Sequence, residues 1–309
     1  MADDLLTIAD LVGDALDLSG AEVSNLLQDA PFFAQLPAVE SSNGETHKYI
    51  KETGAPVVGF RAANDGREHD SSIDTAVTVT LKILDFSWKV DKAVADLWRQ
   101  GGAQALIARE GARHLAAALF KAEQQYIDGT GADSNGFTGF AQSTELDGLA
   151  DDMVIDAGGT TSSTGSSVYL IRQGDPDVVG VIKGDLSLGE TVTQEVAGSA
   201  TGSYPAYYTP ACAHVGIQIG GKYSVGRIAN LTADSGKGLT DDLVYEALAE
   251  FTAGRQPNRI LMNRRSMRQL RESRTATTTT GAAAPRPAEV DGIPIIVTDG
   301  ITSTETLLT

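Results

Sequence analysis

Residues 73–83 read IDTAVTVTLKI, and residues 91–131, close behind, read DKAVADLWRQGGAQALIAREGARHLAAALFKAEQQYIDGTG. The two stretches obey different periods. In the first, Ile73, Thr75, Val77, Val79, Leu81 and Ile83 alternate with Asp74, Thr78, Thr80 and Lys82, the pattern of a strand with one apolar face. In the second, Val94, Leu97, Ala105, Ala108, Ala112, Leu115, Leu119, Ala122 and Tyr126 recur at three and four, the pattern of a helix. Over residues 91–128 that helix is predicted to run about 55 Å. Gly101-Gly102 predicts a kink in it, and Asp128-Gly129-Thr130-Gly131 a firm stop.

Working upstream, Thr46–Thr53 and Pro56–Arg61 read as extended runs, followed by the turn Asn64-Asp65-Gly66. Joined to the alternating stretch they predict a long β-hairpin. An isolated hairpin is marginal in water, so this one needs a partner surface, and Val77, Val79, Leu81 and Ile83 are its candidate contact residues. Residues 1–40 read as an arm of two short helices. Leu5, Ile8, Val12 and Leu16 mark the first, and a capping box at Ser19–Glu22 opens the second.

Downstream, residues 150–235 are rich in Gly, Ser and Thr. Strands are predicted at Ser167–Arg172, Val178–Ile182, Val215–Ile219 and Tyr223–Asn230. Thr240 caps a helix ended by Gly254, a strand follows at Arg259–Asn263, a helix at Ser266–Arg274 and a strand at Ile293–Thr298. Residues 275–287 are low-complexity and read as a loop. The whole is α+β, with no βαβ repeat.

Composition narrows the function. With 24 Lys and Arg against 41 Asp and Glu, the net charge of −17 argues against nucleic-acid binding as the main role and makes identical subunits repel. No apolar run reaches the roughly 20 residues of a membrane span, and Met1-Ala2-Asp3-Asp4 is not a signal-peptide start, so synthesis in the cytoplasm is expected. Cys212 is the single cysteine; with His214 it falls short of a structural zinc site, and no metal is expected.

The motifs are weak. Gly216–Tyr223 approaches a phosphate loop but has Tyr223 where a hydroxyl must bind magnesium, and a hairpin turn at Gly220-Gly221 explains it better. Asp128, Asp133 and Asn135 lack the spacing of a calcium loop. No catalytic spacing is present, so neither an enzyme nor a cofactor is expected. One charge feature does stand out: Arg255, Arg259, Arg264, Arg265, Arg268, Arg271 and Arg274 crowd an otherwise acidic chain. Of these Arg264, Arg265, Arg268 and Arg271 are candidates for docking to an acidic neighbour, with a nucleic-acid patch or a solvated helix face as rivals.

The order of parts (arm, hairpin, very long helix, α/β lobe) resembles the major capsid protein of tailed double-stranded DNA bacteriophages, with the Hong Kong 97-type fold. Gly54–Gly66 resembles that family's extended loop, and Asp128–Gly131 with Gly136–Phe140 the exit from its spine helix. Ser167–Arg172, Gly226–Leu231, Ile260–Arg264 and Gly292–Ile295 are similar to its later blocks, in the same order. The resemblance implies an N-arm at 1–40, an E-loop at 41–88, a P-domain at 89–235 containing the spine helix 91–128, and an A-domain at 236–309. It implies a structural subunit of the virion that self-assembles through hexameric and pentameric capsomers around DNA held only non-specifically. A separate scaffold protein, a portal and a decoration protein are the further partners implied, and no membrane. Lys48 and Lys51 stand where some relatives cross-link a lysine, although no partner asparagine is identified. The alternatives are an encapsulin-type compartment shell, a hydrolase and a ligand-binding β-rich module.

Overall fold

The computed structural model describes residues 29–68, 70–99, 101–184, 187–198, 202–276 and 283–309. Both predicted arm helices therefore lie outside the described residues, and the run 275–287 is described only at its ends.

Fifteen strands form four sheets among the described residues. A two-stranded hairpin joins β2 (Thr46–Gly54) to β3 (Ile73–Thr80). A four-stranded sheet has the order β1 (Ala38–Glu40), β8 (Val178–Lys183), β11 (Cys212–Ile219), β4 (Lys82–Asp85). A three-stranded sheet has β5 (Trp88–Asp91), β10 (Ser203–Thr209), β9 (Val192–Ala197). The largest sheet runs β14 (Glu289–Val290), β15 (Ile293–Val297), β13 (Arg259–Met262), β7 (Ser166–Ile171), β12 (Val225–Leu231), β6 (Val154–Asp156). The consecutive strands β10, β11 and β12 thus sit inside three different sheets, each bonded on both sides to strands made earlier.

The long helical pattern is two helices. The first, α1 (Lys92–Asp96), is capped by the Asp91 carboxylate, which accepts the Ala93 N–H. The second, α2 (Gly102–Asp128), is about 40 Å long. The predicted kink is a full break, because Gly101 and Gly102 take φ of +100° and +73°, a region that side chains disfavour. The end of α2 is buried through Ala118, Ala122, Tyr126 and Ile127, and the Tyr126 hydroxyl donates to Gly216 O at 3.0 Å. A separate small core of Trp88, Val90, Ala95 and Leu106 holds the break against the three-stranded sheet.

Two short helices cover the largest sheet. Thr240 caps α3 (Asp241–Ala249) as predicted, accepting the Leu243 N–H, and Asp241 and Asp242 face the helix dipole. The fourth helix, α4 (Arg264–Ala276), buries Met267 and Leu270. The sheet takes strands from both sides of residue 235, so the boundary drawn there passes through its core.

Two further expectations fail. Pro56–Arg61 is not a strand; it is the exposed tip of the hairpin loop. Gly220-Gly221 is not a hairpin turn, since β11 and β12 belong to different sheets. The chain crosses between them beside the β7–β8 crossing, and the buried Asp177 pins both passages. Its carboxylate accepts from Ser224 Oγ at 2.9 Å and Arg172 Nε at 2.7 Å, while its carbonyl accepts the Gly220 N–H at 2.8 Å. Gly220 is required there because a Cβ would overlap the Pro176 carbonyl.

Candidate subunit interface

Alternation places His47, Tyr49 and Lys51 on one face of β2, opposite Val79, Val77 and Thr75 of β3. That face turns toward the body. Gln218 donates its amide to Pro176 O at 2.9 Å, which leaves its Oε1 to accept from His47 Nε2 at 2.8 Å. Tyr49 donates its hydroxyl to Ile219 O at 2.6 Å, and Lys51 pairs with Glu145. Burial pushes the Tyr49 hydroxyl pKa up, with the Glu145 charge adding to it, so it stays a donor. Beneath the stem lies a groove of about 600 Å³, lined by Tyr49, Val77, Phe137, Glu145, Ile217 and Ile219 among others.

The predicted contact residues split along the strand. Val77 and Val79 are half-buried over this groove, and Leu81 is buried. The alternation then breaks. After Leu81 the strand leaves β2 and pairs with β11, and the inward residues become Leu84, Phe86, Trp88 and Val90. Ile83, in phase by sequence, falls out of phase and is 69% exposed.

The tip carries the larger apolar surface. Val57, Val58 and Phe60 are 57%, 83% and fully exposed, and Ile50 and Ile73 below them are also open. Single exposed apolar residues are ordinary; three within four positions of one loop tip, on a stem tied down by three side chains, form a presented surface. Sequence reading passed over them because it took Pro56–Arg61 for a strand. The usable signal was Pro56-Val57-Val58-Gly59-Phe60, apolar without alternation and broken by its own glycine.

The arginines also divide. Arg265 donates to Leu231 O at 2.9 Å and Ser303 O at 3.2 Å, and Arg271 to Ala284 O at 2.7 Å. Arg274 forms a bidentate pair with Asp241, at 2.6 and 2.7 Å. These three hold their own lobe together. Arg264 and Arg268 have outward side chains, 66% and 64% exposed, beside Asp299 and Glu272.

Among the described residues no group of His, Cys, Asp and Glu is placed to hold a metal, and no helix is long and apolar enough to cross a membrane. Lys222 of the phosphate-loop-like segment pairs with Asp152.

The sequence matches the family Major capsid protein GP7 over residues 18–309. The chain belongs to that family. As a GP7 major capsid protein it is a structural subunit of a phage head shell, located in the virion and assembled from copies of itself. Its fold is the Hong Kong 97-type capsid fold. The structure of bacteriophage Epsilon15 superposes with a TM-score of 0.69 at 18% identity, covering 100% of this chain and 98% of that one. The bacteriophage JBD30 capsid gives 0.50 at 13% identity over 96% of this chain and 99% of that one. The JBD30 capsid decorated with minor capsid protein trimers gives 0.51 at 11% identity, over 94% and 93%. No curated protein matches the sequence.

Proposed function

We propose that the β2–β3 hairpin is the clamp by which one GP7 subunit holds the next. The observation that carries this is the apolar tip Val57-Val58-Gly59-Phe60, exposed at the end of a stem that the chain itself fixes. Burying a phenyl ring stabilises a contact by about 2–3 kcal/mol, and a closed shell repeats that contact in every subunit. The clean test is Phe60→Ser, because the Phe60 ring is fully exposed among the described residues. The variant is expected to melt like the parent yet fail to form shells in electron microscopy and light scattering. Normal shells from it refute the clamp. Val79→Asp is less decisive, because Val79 packs near Gly216 of its own body and charge there also damages the stem.

In this reading residues 1–40 are the N-arm and 41–88 the E-loop. The P-domain comprises α2 with β5 and β8–β11, and the arm adds β1 and the E-loop adds β4 to the edges of its four-stranded sheet. The A-domain is the largest sheet with α3 and α4, so residues 172–224 are an excursion from it into the P-domain. Arg264 and Arg268, facing outward, dock to acidic groups of a neighbour; Arg265 and Arg271 support the lobe. The partners are other copies in hexameric and pentameric capsomers, with a separate scaffold, a portal and a decoration protein. DNA is enclosed without specific contact, and the chain performs no catalysis.

A further inference from the structure

One side chain ties the stem of the arm to the body and plays no part in the clamp. Glu123, on the buried side of α2, has no exposed surface. Its Oε2 accepts the backbone N–H groups of Phe32 at 2.8 Å and Phe33 at 2.9 Å. Its Oε1 accepts the Thr298 hydroxyl, whose oxygen in turn accepts the Gly300 N–H at 2.9 Å. A single carboxylate therefore joins the arm stem, the long helix and the turn after β15.

No cation pairs with it among the described residues. The stem from Ala30 to Ala38 has no titratable side chain. On α2, Lys121 is turned away to Ala132 O at 2.7 Å. On the C-terminal side the facing group is Asp299, a like charge, itself held by Arg264 at 2.6 Å. Burial drives the Glu123 pKa above the usual carboxylate range; the three donors pull it down and Asp299 adds to the rise.

We propose that Glu123 is a proton-linked latch that couples docking of the arm stem to the Thr298–Gly300 turn, so that freeing either one loosens the other. The coupling follows from the shared group. Without the Thr298 hydroxyl, Oε1 is a buried acceptor with no partner, and the nearest relief is water admitted by lifting Phe32 and Phe33. The proton linkage follows from burial. The docked stem dries the carboxyl and raises its proton affinity, and a lifted stem returns it to water. Acid therefore favours the docked stem, and a rise in pH through the raised value favours release.

Hydrogen–deuterium exchange at the Phe32 and Phe33 amides of the full-length chain tests this, at matched assembly state and corrected for intrinsic pH dependence. Thr298→Val is expected to speed exchange about tenfold, and Thr298→Ser, which keeps the hydroxyl, to return the parent rate. Parent protection should fall as pH rises. Glu123→Gln keeps an acceptor for the two N–H groups and a donor for Thr298, so it should stay protected and lose the pH dependence. Unchanged exchange in Thr298→Val, or a pH dependence that survives in Glu123→Gln, overturns the proposal.

Discussion

Arg227→Met is expected to destabilise the unassembled subunit by about 3–5 kcal/mol. Arg227 lies on β12 inside the largest sheet and is buried. Its Nε donates to Ser167 Oγ at 3.0 Å, and its Nη1 to Leu146 O at 3.0 Å and Ala141 O at 3.3 Å. Its Nη2 stands 3.5 Å from Glu305 Oε2, and the guanidinium lies 5.7 Å from the Tyr169 ring centre. Methionine fills most of the volume but strands two carbonyls and leaves the Glu305 carboxylate to Ser167, whose hydroxyl donates at 2.6 Å and whose backbone adds a further hydrogen bond. At roughly 2 °C per kcal/mol for a chain of this size, the melting temperature should fall by about 6–10 °C.

The pH dependence sharpens the test. Burial holds the Glu305 carboxyl above its ordinary value, while Ser167 and Arg227 oppose the rise and Asp128 adds to it. A raised carboxyl contributes stability that is fully present below its unfolded pKa and is lost as pH rises through the folded value. Removing Arg227 raises that folded value further. The deficit of Arg227→Met relative to the parent should therefore shrink between pH 7.5 and pH 5, and in the Glu305→Gln background it should stay flat. Thermal melts at the two pH values measure both. A deficit under about 1 kcal/mol, or one that does not change with pH, would show that this buried cation is not what balances Glu305.

The two outward arginines and the internally bonded ones predict a split: Arg268→Glu should weaken assembly with little change in melting, whereas Arg271→Glu should lower the melting temperature of the monomer itself. Gly220→Ala should cost about 2 kcal/mol or more through its overlap with Pro176, while Gly254→Ala, which meets open space, should change stability by only a few tenths, as denaturant titration would read. Shell yield by light scattering should rise from low to moderate salt, because screening shortens the repulsion between −17 subunits to about 10 Å at 0.1 M and leaves the apolar tip contact untouched. A yield that falls instead would mean that ionic contacts close the shell.

Local signals in the sequence located most elements. Thr240 before Asp241-Asp242 announced α3, and Gly101-Gly102 announced the break before α2, because capping and glycine backbone freedom act within a few residues. What stayed hidden depends on partners far away in the chain. The switch at Leu81 arises because β3 pairs with β2 and β4 with β11, and alternation cannot record a change of partner. The hairpin β9–β10 escaped notice because the exposed β9 sets Thr193, Gln194 and Glu195 in a row and β10 carries Pro205 in mid-strand, so neither strand alternates or reads as a strand. The arginine cluster looked like one patch because the carbonyls that occupy Arg265 and Arg271 belong to Leu231, Ser303 and Ala284.

The placement of β10, β11 and β12 at the heart of three sheets has a kinetic side. Before residues 203–231 leave the ribosome, β4 and β5 lack partners, β6 and β7 have no strand between them, and the four-stranded sheet holds only the β1–β8 pair. A nascent chain of 200 residues has a helix and an apolar hairpin tip with little to bury them, the kind of exposed surface that aggregates. Loops of more than 100 residues must then close together, as β4 meets β11 and β5 meets β10, which makes for slow folding at the crowded concentrations a shell requires. Pulse-proteolysis of chains stalled near residue 200 and beyond residue 231 should therefore show protection arriving in one step, late in synthesis.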